Sequence, residues 1–84
     1  MLIDVRTPEE YAAGHLNAAV NIPLDDIMAG RLGALIDVGK ETSVRVYCFS
    51  GARAAYAAMF LQSAGFTDVE NLGGIEDAAA HSTS

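Results

Sequence analysis

Ser43-Val44-Arg45-Val46-Tyr47-Cys48-Phe49-Ser50-Gly51-Ala52-Arg53 is the stretch on which the fold turns. Residues 43–47 are rich in β-branched and aromatic side chains and too few for a helix, so they read as a strand ending at Cys48. A small, flexible stretch follows, Phe49 to Ala52. From Arg53 to Ala64 the positions Ala57, Phe60, Leu61 and Ala64 then recur at helical spacing. Gly65 is a suitable residue just past a helix end. Thr67 to Asn71 returns as a strand, and Leu72-Gly73-Gly74 turns into a short helical tail. Strand, loop, helix and strand over 43–71 make a βαβ unit with parallel strands and a right-handed crossover.

Working outward, Leu2-Ile3-Asp4-Val5 is a short β-rich run. Thr7-Pro8-Glu9-Glu10 is a strong helix start: threonine cap, proline at the first helical position, glutamate three after the cap. Gly14 is the matching stop. Ala19-Val20-Asn21-Ile22 reads as a second short strand closed by Pro23, and residues 24–36 carry one or two helical pieces broken near Gly30. Asp25-Asp26 fits a helix N-cap region, and 39–42 is a polar turn. Strands alternating with helices imply an α/β fold: a small, mostly parallel sheet of about four strands, flanked by helices on both faces. The whole chain, 1–84, reads as one domain, with a frayed tail from about residue 78 through His81-Ser82-Thr83-Ser84.

Composition narrows the function classes. A chain of 84 residues with 51% apolar and 19% charged residues is a packed globule, though alanine-rich and without tryptophan, so its core is thin. Five Lys+Arg against eleven Asp+Glu give a net charge of −6 with no basic run, which argues against nucleic acid and anionic membranes as partners. No stretch approaches the roughly 20 apolar residues of a membrane-spanning helix. The single cysteine forms no internal disulfide and leaves the compartment open. A start directly in a strand, without a signal-peptide pattern, reads as a mature or trimmed form.

The chemistry concentrates at Cys48, at the carboxyl end of a strand where open α/β sheets bind ligands. A lone cysteine at a strand end is more often an inert small hydrophobe. What sets this one apart is the small-residue turn opening on an arginine helix. Backbone N–H groups from Phe49 to Arg53 converge on the sulfur if Phe49, Ser50, Gly51 and Ala52 curl around it. The following helix adds roughly half a positive charge at its N-terminus, and Arg53 adds a full one. All three effects favour the nucleophilic thiolate. Gly51 supplies the tight bend and Ala52 leaves it unblocked.

Cys48-Phe49-Ser50-Gly51-Ala52-Arg53 resembles the active-site loop of the rhodanese family, which often reads C-x-x-G-x-R. Leu2-Ile3-Asp4-Val5-Arg6, Glu10-Tyr11 and Gly14-His15-Leu16 are similar to that family's opening segment, and Asn21-Ile22-Pro23 to the segment after its second strand. Val69-Glu70-Asn71-Leu72-Gly73-Gly74 is similar to its closing strand and turn. The likeness spans residues 2 to about 77 in the family's order and is greatest to the small, phage-shock type, whose mature form is periplasmic; a cytoplasmic home is the alternative. Three features depart from the family. No strand and helix precede the Leu2 segment, Ala18 stands where glycine is frequent, and Leu72-Gly73-Gly74 is one residue tighter than L-x-G-G. They bear on packing and imply a monomer or weak dimer.

The resemblance implies a thiosulfate sulfurtransferase. Cys48 takes sulfane sulfur from thiosulfate as a persulfide and passes it to cyanide, a small thiol or a dithiol protein. Arg53 orients the anionic donor, and neither metal nor organic cofactor is needed. A persulfide carrier that docks on a protein partner uses the same loop. A cysteine phosphatase or arsenate reductase is the weaker alternative, because C-x5-R is required to cradle a phosphate and Cys48 to Arg53 is C-x4-R. Asp4, Arg6 and His15 read as structural, and His15, Cys48 and His81 lack metal-ligand spacing. Phe49 either walls the pocket or packs.

Overall fold

The structure is a computed structural model that describes residues 1–82. Thr83, Ser84 and the side chain of His81, the end of the expected tail, lie outside the described residues. In chain order the elements are β1 (Leu2–Asp4), α1 (Pro8–Ala13), β2 (Val20–Asn21), α2 (Leu24–Met28), a 3-10 helix (Gly33–Asp37), β3 (Val44–Cys48), α3 (Ala52–Ser63), β4 (Val69–Gly74) and α4 (Ile75–Ser82). The four strands form one sheet in the order β2-β1-β3-β4, every neighbouring pair parallel. This is the α/β architecture expected from the sequence.

Alternation along β3 divides the apolar residues between the two faces of the sheet. Val44, Val46 and Cys48 join a larger cluster with Ile27 of α2 and Ala54, Ala57 and Leu61 of α3. Tyr47 faces the other way, into a smaller cluster with Leu72 and Ala78, against which Tyr11 of α1 and Ile75 of α4 pack. A sheet buried on both faces is therefore sandwiched by α2 and α3 on one side and α1 and α4 on the other.

Helix ends follow local chemistry. The Thr7 hydroxyl accepts from the Glu10 N–H at 3.2 Å, and the Glu10 carboxylate accepts from the Thr7 N–H at 3.1 Å, a complete capping box with Pro8 at the first helical position. Asp25 and Asp26 sit in the first turn of α2 rather than at its cap, which is Pro23. Asp26 instead pairs with Arg31 at 2.8 Å.

Two expectations need correction. Leu72-Gly73-Gly74 is not a turn: β4 continues through it, because Leu72 is buried and Gly74 pairs with Cys48 across a local irregularity in the ladder. The residues that follow form α4. Ile75 and Ala78, spaced three apart, present one apolar face to the second cluster, and α4 runs on to Ser82. Phe60 and Ala64 do not belong to the buried stripe of α3, which is Ala54, Ala57 and Leu61. Phe60 lies roughly a quarter turn away from the centre of that stripe.

A buried polar node ties the first cluster of loops to the sheet. The Asp4 carboxylate, fully buried, accepts from the Arg6 N–H and guanidinium and from the Tyr47 hydroxyl at 2.8 Å. Arg6 Nη2 also donates to the Gly14 carbonyl at 2.7 Å, and the Tyr47 oxygen accepts from the Leu16 N–H at 3.1 Å. Burial pushes the Tyr47 phenol up to about 12, so it remains a donor to Asp4. His15 stacks on Tyr11 with ring centroids 3.7 Å apart, its Nδ1 2.9 Å from the Tyr11 carbonyl oxygen. The structural readings of Asp4, Arg6 and His15 therefore have defined partners.

Ala18 is exposed and holds a left-handed backbone, φ 67°, alone in this among the described non-glycine residues. An L-residue there costs roughly 1–2 kcal/mol, and the extra freedom of glycine in the unfolded chain offsets part of the relief. Ala18→Gly is accordingly expected to stabilise the fold by about 0.5–1 kcal/mol, read as a rise of a few degrees in melting temperature.

Candidate active site

Cys48 closes β3 and is 1% exposed. Its Sγ accepts from the Gly51 N–H at 2.9 Å and from the Ala54 N–H at 3.4 Å. The curl foreseen over residues 49–53 thus takes definite form, with two donors, one of them a residue beyond the expected range. These groups lie at the free N-terminal end of α3, so the helix dipole reinforces them. Exclusion of bulk water strengthens each contact to the sulfur.

The bend that brings Gly51 under the sulfur requires φ 103°, a conformation glycine adopts without strain. A second constraint comes from β4. A Cβ at Gly74 would overlap the Phe49 carbonyl oxygen and crowd the Ser50 Cα, so the strand backbone lies directly against the loop. Asn71 adds two bonds there: its Nδ2 donates to the Gly51 carbonyl at 3.3 Å and its Oδ1 accepts from the Gly73 N–H at 2.8 Å. Asn71 and Gly74 carry no chemistry, and the sequence showed them only as parts of a strand and a turn.

Arg53 lies in the first turn of α3, where the spacing puts it. Its guanidinium is engaged by Glu10 of α1, Nη1 to Oε1 at 2.6 Å and Nη2 to Oε2 at 3.1 Å. These bonds from Arg53 hold the Glu10 carboxyl down to about 2 and keep the Arg53 guanidinium above its usual range. In the sequence Glu10 reads only as part of the helix cap and of the chain's opening segment. Forty-three positions separate it from Arg53, and no local pattern links them.

A small cleft is lined by Val5, Thr7, Pro23, Leu24, Asp25 and Arg53, so Arg53 links it to the start of α3 and half of its lining residues are apolar. Phe49 is 67% exposed; it neither packs in the core nor lines this cleft. Ser50 and Ala52 are exposed at the outside of the loop. Among the described residues no group of three or more metal-ligating side chains comes together.

Comparison with known proteins gives a consistent result. The family model for the rhodanese-like domain matches residues 1–81. Thiosulfate sulfurtransferase PspE of Escherichia coli K12 is 42% identical over 77 residues, which cover 92% of this chain and 72% of that protein. A sulfurtransferase of Allochromatium vinosum is 37% identical over 82 residues, 96% of this chain and 73% of its own. A solved structure of a rhodanese with anions from Escherichia coli superposes with a TM-score of 0.80 at 39% identity, covering 90% of this chain and 87% of that one.

Because Gly74 leaves no room for a side chain, Gly74→Ala must displace the Phe49–Gly51 backbone. The expected outcome is a loss of about 1–3 kcal/mol in urea unfolding together with faster amide exchange at Gly51, whose N–H loses its hold on Sγ.

Proposed function

The chain belongs to the rhodanese-like domain family, and we propose that it is a thiosulfate sulfurtransferase working through a persulfide on Cys48. The observation that carries this reading is the pair of backbone N–H groups, of Gly51 and Ala54, aimed at the Cys48 Sγ. The sulfurtransferase names of its relatives support it.

In the first half-reaction the Cys48 thiolate attacks the outer sulfur of thiosulfate. The S–S bond of the donor breaks, sulfite leaves with its electron pair, and Cys48 carries a persulfide. In the second, cyanide or a thiol attacks the terminal sulfur, and the thiolate is restored. Charge on sulfur is stabilised at each stage by donors already in place, so no reorganisation is needed as it develops. The cleft bordered by Arg53 receives the donor, and no metal or organic cofactor takes part.

A second reading, a persulfide carrier for a protein partner, is favoured by Phe49: a large apolar side chain left exposed next to the nucleophile suits contact with a protein acceptor. Faster persulfide discharge to a protein dithiol than to small thiols would select it. The phosphatase reading requires hydrolysis of a chromogenic phosphate ester that is lost in Cys48→Ser.

Thiocyanate formation from thiosulfate and cyanide tests the main reading. Parallel double-reciprocal lines are expected for the wild type, with a loss of at least about a thousandfold in Cys48→Ser. Retained activity in that variant would contradict the proposal.

A further inference from the structure

Arg53, which lines the cleft, and Arg6, whose charge Arg53 feels, are each held in an ion pair. Arg6 is taken up by the buried carboxylate of Asp4, 2.7 Å from Nη2 to Oδ2. Arg53 is taken up by Glu10 through two hydrogen bonds. The one further charged residue on the cleft wall is the carboxylate Asp25, and the rest is Thr7 with the apolar Val5, Pro23 and Leu24. A donor entering here meets no uncompensated cation among the lining residues, on a chain whose net charge is already −6.

From this juxtaposition we propose that Glu10 sets the donor selectivity of the site: by neutralising Arg53 it lowers the preference for doubly charged over singly charged sulfane-sulfur donors. The inference rests on the sulfurtransferase reading above. Glu10 acts through Arg53 and is a positioning residue. The two donor classes undergo the same transfer. With thiosulfate, the S–S bond breaks and sulfite, a dianion, departs as Cys48 gains the outer sulfur. With an organic thiosulfonate, the S–S bond breaks in the same way and a singly charged sulfinate departs. Charge and atoms balance in both cases, and the donors differ by one unit of charge and an organic group. That group suits the apolar side chains of Val5, Pro23 and Leu24 that line the cleft.

Glu10→Gln isolates the charge, because the capping box accepts glutamine as well as glutamate and the start of α1 is retained. We expect the ratio of kcat/KM for thiosulfate to that for methanethiosulfonate, with cyanide as acceptor, to rise roughly tenfold in Glu10→Gln, through KM rather than kcat. The double variant Glu10→Gln/Arg53→Gln removes both charges and should restore the wild-type ratio to within about twofold. An unchanged ratio in Glu10→Gln at an unchanged melting temperature would overturn the proposal. If Glu10→Gln does not fold, the double variant decides: a roughly tenfold fall in its ratio would mean that Arg53 meets the donor with its charge free. Failure of the wild type to turn over either donor would remove the sulfurtransferase reading itself, a different result from an unchanged ratio.

Discussion

The end of β4 runs so close beneath the Cys48 loop that residue 74 has no space for a Cβ. This backbone contact is the constraint from which the site follows. It holds the Phe49 carbonyl in place, and Asn71 holds the Gly51 carbonyl from the same strand. With both carbonyls fixed, the N–H groups of Gly51 and Ala54 are left pointing at Sγ. Side chains supply little of this arrangement. The cradle is built from main chain, whose geometry a packed sheet fixes more firmly than a rotamer could.

A second anchor lies across the sheet. Asp4, Arg6 and Tyr47 are buried together and tie β1 to β3 and to the loop around Gly14 and Leu16. Removing one charge of such a pair would leave the other buried, at a cost of about 3–5 kcal/mol. The node thereby fixes the chain on either side of α1. The Thr7 cap starts that helix, and together they bring Glu10 to Arg53. The path from a local capping motif to the electrostatics of the cleft thus runs through one short helix.

Much of this was legible in the sequence, for reasons that differ by residue. The β-branched run before Cys48, the Thr7-Pro8 helix start and the helical spacing after Arg53 are local signals, and each element formed where the pattern put it. The approach of Gly51 to Cys48 was legible because a small-residue turn lets backbone N–H groups curl onto a sulfur at a strand end. The misses are non-local. The pairing of Glu10 with Arg53 depends on how α1 and α3 meet, and the role of Gly74 depends on which backbone lies opposite it. Neither leaves a mark in its own neighbourhood. Phe60 shows the converse: apolar spacing alone put it inside, while the small residues Ala54 and Ala57 make the stripe that meets the sheet.

The central claim is that Cys48 itself carries the transferred sulfur. Intact mass after incubation with thiosulfate, on the wild type and on Cys48→Ala, tests it most directly. A gain of one sulfur atom, about 32 Da, in the wild type alone and removed by cyanide is the predicted result. A folded wild type with a free thiol and no gain, or an equal gain in Cys48→Ala, would contradict it.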